Sequence, residues 1–250
     1  KGLLAEIDYL HEAENIRRMT ALHAGIDDIV IPRVIDEATA RNVLTMEFVD
    51  GIPPTDACSD RYPDELRNRW GVVLSEFQMR GILEHRLVHA DPNIANFAFL
   101  DDGRVVVYDF GCVKQVPAKL ARAYALAFTA VIEDRVTDRP GIFAGIGLSR
   151  LDGSKIPVEL IAPYIDVIAE VFRAEPPYTF GEGNKEMYRE IIQLGFQDWE
   201  EKMDMLFPED VIFINRSLSG HFGNLSRLNA TGPWRDLLLD YSRRALERVS

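Results

Sequence analysis

VHADPNIANFAFLDDGRVVVYDFG, residues 88–111, carries three signals in one span. It opens on His89-Ala90-Asp91, places Asn96 five residues after Asp91, and closes on Asp109-Phe110-Gly111. Two apolar runs lie between, Phe97 to Leu100 and Val105 to Tyr108, joined by Asp101-Asp102-Gly103. Asp-Gly between two such runs is a strong short-range hairpin signal. A hairpin returns the chain on itself, so Asp109 comes back to face Asn96. As a plain hairpin the span accounts for Asp101 and Asp102 as turn formers. It gives no reason for Asp91, Asn96 and Asp109.

Phosphoryl transfer gives one. That chemistry asks for positioning and charge neutralisation more than for covalent steps. An acceptor hydroxyl wants a carboxylate beside it, and Mg²⁺ wants oxygen ligands from more than one chain segment. An Asp, an Asn five residues later and a following D-F-G reproduce the spacing of the kinase catalytic loop and metal-binding loop. On this pattern Asp91 is the catalytic base or acceptor-orienting group. Asn96 and Asp109 are the metal ligands, and His89 braces the loop.

Working outward, Leu44 to Gly51 (LTMEFVDG) has the look of a kinase hinge. Met46 would guard the back of an adenine pocket. Glu47, Phe48 and Val49 would offer backbone groups to the base, so their side chains need not be polar. The first helical stretch carries Glu6, Asp8 and Glu12, candidates for the acid that pairs with a nucleotide-binding lysine. Glu6 and Glu12 stand about 120° apart on an ideal helix, so they are expected to do different jobs.

The bulk numbers agree with a globular chain. The 250 residues are 47% apolar and 27% charged, enough for a full core and too ordered in composition for a disordered segment. Net charge is −12, which repels phosphate backbones and argues against nucleic acid as a partner. It does not exclude nucleotides, because Mg²⁺ bridges phosphates to carboxylates. Cys58 and Cys112 are far apart and form no CxxC, which fits a reducing compartment. The most apolar run, Ala123 to Ile132, is too short to span a bilayer, and the opening residues do not read as a signal peptide. A cytoplasmic location, at most peripheral to a membrane, is expected.

Periodicity predicts a helix to about residue 23, ended by Gly25, then two β-branched runs flanking DEATARN as a hairpin. YPDELRNRWGVVLSEFQMRGIL is helical, with Pro63, Asp64 and Glu65 suited to its first turn. After Gly111 the strands are expected to stop. Helices are expected over Lys119 to Asp134, Pro157 to Arg173, Asn184 to Leu194, Pro208 to Leu228 and Trp234 to Val249. No alternation of strand and helix would build a doubly wound sheet, and the expected class is α+β. The segment CVKQVPAK is too short for the peptide platform that protein kinases build after D-F-G, which points to a small-molecule or lipid acceptor, or to none.

Four segments together resemble the UbiB/AarF family of atypical, protein-kinase-like proteins. They are EIDYLHEAENIRRM (6–19), IPRVIDEATARNVLTMEFVDG (31–51), the span 88–111 and, more weakly, PYTFGEGN (177–184). The resemblance implies a kinase-like fold that binds ATP with Mg²⁺ and has ATPase or phosphotransferase activity. It also implies a link to ubiquinone and other isoprenoid-lipid metabolism, with lipid or the proteins of that pathway as partners. It makes Glu6 the partner of the nucleotide-binding lysine and Glu12 the second acid of the same helix. The family places a K-x-G-Q segment, an Ala-rich phosphate loop and the strand lysine ahead of the helix with which this sequence starts. The resemblance therefore implies a truncated kinase unit. Residues 1–50 would be a partial N-lobe of helix, strand pair and hinge, and residues 51–250 a mostly helical C-lobe. A small-molecule kinase of the aminoglycoside or choline type and a non-catalytic, pseudokinase-like scaffold are the alternatives.

Overall fold

Asp8 starts the first helix: its carboxylate accepts from the Leu10 N–H (3.2 Å), and α1 runs Tyr9–Leu22. The structure, a computed structural model, describes residues 8–135, 139–181, 184–197 and 199–248, so Glu6 lies outside the described residues. Ala13, Ile16 and Met19 recur at helical spacing and bury one face of α1. Gly25, at φ +81°, then turns the chain back.

The strand β1 (Ile29–Val30) does not pair with its sequence neighbours. It lies parallel to β4 (Val105–Val107), which is antiparallel to β3 (Phe97–Phe99). The hairpin expected over Ile29 to Gly51 survives only as the isolated bridges Val34–Met46 and Ala40–Val43 around a 3₁₀ turn, Asp36–Ala38. Threonine hydroxyls explain the interruption. Thr39 Oγ1 donates to the Ile35 carbonyl (2.9 Å) and Thr45 Oγ1 to the Ala38 carbonyl (2.6 Å), so side chains compete for groups that a ladder would use.

A short helix α2 (Pro54–Ala57) leads to α3 (Asp64–Met79), which continues as a π-helical turn over Arg80–Glu84. The apolar stripe of α3 is the centre of the core. Trp70, Val73, Leu74 and Phe77 are all buried, and the Trp70 indole N–H donates to the Leu100 carbonyl (2.9 Å). Gly71 lets this helix approach closely, since a Cβ there would sit 2.7 Å from the Ala230 Cβ.

Strands do not stop at Gly111. β5 (Val113–Gln115) pairs antiparallel with β2 (Leu87–His89), and two-residue pairs form further on. These are β6 (Ser149–Arg150) with β8 (Met205–Leu206), and β7 (Tyr178–Thr179) with β9 (Thr231–Gly232). The rest is helical: α4 (Ala118–Ile132), α5 (Arg139–Ile146), α6 (Val158–Arg173), α7 (Asn184–Phe196), α8 (Trp199–Lys202), α9 (Glu209–Leu228) and α10 (Trp234–Glu247). The helices α5 and α8 were not expected. The α9 helix ends at Asn229 in the left-handed region (φ 51°), a conformation asparagine tolerates at a helix terminus. No helix among the described residues is long and apolar enough to cross a membrane.

Candidate functional site

The quoted span folds as a strand, a loop and a hairpin. β2 delivers His89, the loop carries Asp91, a 3₁₀ turn Ile94–Asn96 ends at Asn96, and β3–β4 bring Asp109 back. Registry sets Phe97 opposite Val107, and the Tyr108 N–H donates to the Asn96 carbonyl (3.0 Å). Asp109 therefore stands one residue beyond the Asn96–Tyr108 pair.

Three side chains order this cluster. Asn96 Nδ2 donates to Asp91 Oδ2 (2.8 Å), so the amide oxygen of Asn96, and not its nitrogen, is the atom that could serve a cation. Asp109 Oδ1 accepts the Gly111 N–H (2.8 Å), fixing that carboxylate across the D-F-G turn. His89 is buried, and its Nε2–H donates to the Asp109 carbonyl. Burial lowers the His89 pKa below its ordinary value, and the bonds to Asp109 oppose that shift without reversing it. The bond from His89 Nε2–H thus ties the end of β2 to the far end of the hairpin.

Helix α1 reaches the same place. The Phe110 N–H donates to Glu12 Oε1 (3.2 Å), and Asn15 Nδ2 donates to the Phe110 carbonyl (3.0 Å). Glu12 and Asn15 stand one turn apart and grip one residue on both its backbone groups. Burial raises the Glu12 pKa; the Phe110 bond opposes it, and the Asp109 charge adds to it.

The hinge segment lies beside the hairpin. The Tyr108 hydroxyl donates to the Val49 carbonyl (3.1 Å), and the Glu47 N–H donates to the Arg33 carbonyl (2.9 Å). Among the described residues the Glu47 carbonyl and the Val49 N–H make no backbone bond. Met46 is partly buried against the core. The Glu47 carboxylate pairs with Arg33 (2.9 Å), and the Phe48 ring stands 90% exposed.

The sequence pattern did not reveal the support behind the loop. Ser217, Gly220 and Asn224 follow each other along one face of α9. Ser217 Oγ donates to the His89 carbonyl (2.8 Å) and itself accepts from Gln78 Nε2 (2.8 Å). Asn224 Nδ2 donates to the Pro92 carbonyl (3.0 Å). Gly220 sits directly on Pro92. Arg216, on the same helix, brings a guanidinium 3.7 Å from Asp91 Oδ1. Asn15, a polar residue buried in the apolar stripe of α1, was the one available hint.

Chemically this is a set of hard oxygen donors, two carboxylates and an amide, at one end of a hairpin. No group of three or more His, Cys, Asp or Glu side chains that could hold a metal is found among the described residues. Hard oxygen donors of this kind suit a cation that takes its remaining ligands from phosphates and water, as Mg²⁺ does in phosphoryl-transfer sites.

Comparison with known proteins places the fold and the family. The fold is that of a solved Mycobacterium tuberculosis protein, Rv3197, determined as a complex with erythromycin. The TM-score is 0.74 at 22% identity, covering 93% of this chain and 57% of that one. The chain is 28% identical to zebrafish (Danio rerio) atypical kinase COQ8B, mitochondrial, over 100% of this chain and 40% of the relative. It is 25% identical to the fission-yeast (Schizosaccharomyces pombe) atypical kinase COQ8, mitochondrial, over 92% of this chain and 37% of that one. It thus spans about two fifths of the length of these curated relatives. Residues 1–138, more than half of the sequence, match the ABC1 atypical kinase-like domain, and the chain belongs to that family.

Proposed function

We propose that this chain forms the catalytic part of an atypical kinase that binds ATP with Mg²⁺ and transfers or hydrolyses its γ-phosphate. One observation carries the reading: Asp91, Asn96 and Asp109 are held at one end of one hairpin, tied together by Asn96, His89 and the Glu12–Asn15 grip on Phe110. In this reading Asp91 orients the attacking hydroxyl or water, and Asn96 and Asp109 hold the cation. When bound there, Mg²⁺ would supply neutralisation of the charge that develops on the phosphoryl oxygens. The Glu47 carbonyl and Val49 N–H receive the adenine.

The acceptor is read as a small molecule or water. Only Cys112 to Val116 separate Gly111 from Pro117, at the head of α4, which leaves little chain to present a peptide. The names of the relatives place those proteins in mitochondria. For this chain, a role in isoprenoid-lipid or ubiquinone metabolism at a membrane surface is the setting that the family suggests.

The test is Mg²⁺-dependent binding of a fluorescent ATP analogue to the full-length protein. Asp109→Asn should abolish the Mg²⁺ dependence. Asp91→Ala should keep the binding and cut turnover by about 10²–10⁴-fold, the usual contribution of a positioned base. Undiminished Mg²⁺-dependent binding by Asp109→Asn would show the metal assignment to be wrong.

A further inference from the structure

The C-terminal helices line a partly open cavity of about 640 Å³. Helices α4, α5, α6, α7 and α9 each turn apolar side chains into it, among them Phe128, Ile165, Ile168, Leu218 and Phe222. Native interiors leave few voids larger than a water molecule. An apolar hole of roughly 150 Å³ stays dry and takes up benzene; this one is about four times larger, within the range of small-molecule sites. Unfilled, its lining forfeits dispersion contacts on every side. Phe207 on its wall and neighbouring Leu206 are 41% and 48% exposed, so apolar groups also mark its rim. None of Asp91, Asn96 and Asp109 lines it.

The polar groups on the wall narrow the class of occupant. Lys202 Nζ already donates to the Leu194 carbonyl (2.7 Å), the Gln197 carbonyl (2.6 Å) and the Tyr164 hydroxyl (3.3 Å). That uses all three ammonium protons. Arg135 is paired with Glu133 (3.0 Å). The cations on the wall are thus engaged within the chain, and an anionic ligand would meet carbonyls and carboxylates beside them. Asn215 differs. It is exposed at the edge of the cavity, where its Oδ1 accepts the Tyr124 hydroxyl (2.8 Å) and its amide N–H groups remain for another acceptor; Ser219, also exposed, stands one turn further along α9.

We propose that this cavity binds one neutral, mainly aliphatic molecule bearing an oxygen acceptor. The helix cage surrounds its hydrocarbon part, and the Asn215 amide orients its oxygen. A polypeptide segment is a poor occupant, because its row of backbone N–H and C=O groups would go unmatched on so apolar a wall. The proposal does not depend on the nucleotide reading.

The test titrates the full-length protein with decan-1-ol and with decanoate, read by native mass spectrometry and thermal shift. The alcohol should bind at one per chain and raise the melting temperature, with decanoate at least about tenfold weaker. Ala127→Trp, which fills the cavity from α4, should abolish saturable alcohol binding while the melting temperature holds or rises. Should that variant fail to fold, Ile165→Trp is read in the same way. Asn215→Leu should weaken the alcohol about five- to tenfold, the worth of one hydrogen bond, and leave hydrocarbon-driven binding in place. A purified protein that already carries a neutral hydrocarbon ligand supports the proposal. No saturable alcohol binding by a ligand-free protein, equal binding of decanoate, or indifference to a folded cavity-filling variant each overturns it.

Discussion

Gly220→Ala asks whether α9 sets the position of the loop that carries Asp91. A Cβ at Gly220 would fall 2.0 Å from the Cβ and 2.3 Å from the Cγ of Pro92, the residue after Asp91. Non-bonded carbons rest about 3.5–4.0 Å apart, so helix and loop would have to separate by about 1.5 Å. The proline ring cannot rotate out of the way. The bonds from Ser217 to His89 and from Asn224 to Pro92 resist the separation from either side. Overpacking of this kind costs about 1–3 kcal/mol, while alanine in place of glycine inside a helix returns up to about 1 kcal/mol.

The neighbouring Gly223 supplies the control. It lies on the same helix, and a Cβ there meets nothing within 4 Å. Gly223→Ala should therefore gain up to about 1 kcal/mol. Propensity cancels between the two variants, so their difference isolates the contact with Pro92, at about 1–3 kcal/mol. Urea unfolding midpoints at unchanged m-value measure it. In a chain of this size each kcal/mol moves the melting temperature by about 2–4 °C. Turnover gives the second readout: a displacement of about 1 Å at Asp91 can cost as much as about a hundredfold in rate, with Gly223→Ala unaffected. Equal midpoints and equal turnover for the two alanine variants would refute the claim that α9 positions the loop.

Three further expectations follow from the same geometry. Asn15→Ala strips the Phe110 carbonyl of its partner and should cost about 1–3 kcal/mol in unfolding free energy; combined with Glu12→Ala the two losses should be non-additive by at least about 0.5 kcal/mol, because both side chains hold one residue. Burial drives the His221 pKa down to about 3 and the His23 pKa down to about 4. Both rings stay neutral in the folded chain, while the unfolded chain protonates them below about pH 6.5. Their contribution is therefore intact above about pH 6.5 and is lost as pH falls, at up to about 1.4 kcal/mol per pH unit for each ring. His221→Gln should remove about half of the two-ring share of the slope between pH 6.5 and 5, measured by urea midpoints. Gly103→Ala should cost more than about 1 kcal/mol by thermal unfolding, because Gly103 sits at φ +90° and its Cβ would lie 2.6 Å from Arg69 Cγ.

What could be read from the sequence divides along physical lines. The β3–β4 hairpin was legible because everything that specifies it is local: an Asp-Gly turn between two runs of β-formers. The helices α1, α3, α4, α6, α7, α9 and α10 were legible because each repeats its apolar positions over several turns. The strands β5 to β9 were not. β5 is three residues long and takes its hydrogen bonds from β2, more than twenty residues earlier, while β7 meets β9 across more than fifty. Two or three residues hold no period, so only the partner defines such a strand. The interrupted ladder before the hinge failed for a related reason: Thr39 and Thr45 carry good strand propensity, but their hydroxyls took the backbone groups.

The site shows the same division. Spacing alone marked His89, Asp91, Asn96 and Asp109 as candidates, because kinase chemistry constrains the order of such side chains along one short segment, and the fold brings them to one end of the β3–β4 hairpin. Nothing constrains the order of the residues that hold the segment in place. Gln78, Ser217, Gly220 and Asn224 act from α3 and α9, and in sequence they read as small or polar interruptions of amphipathic helices. An apolar stripe is ambiguous in the opposite sense. The stripe of α6 has the same 3.6-residue period whether it meets another helix or the 640 Å³ cavity. Periodicity reports only that water is excluded from a face, and what does the excluding is decided by the other helices. A chain of this family can thus keep its candidate site segment readable while the residues that set its position, and the cavity of the helical lobe, stay hidden until the elements are assembled.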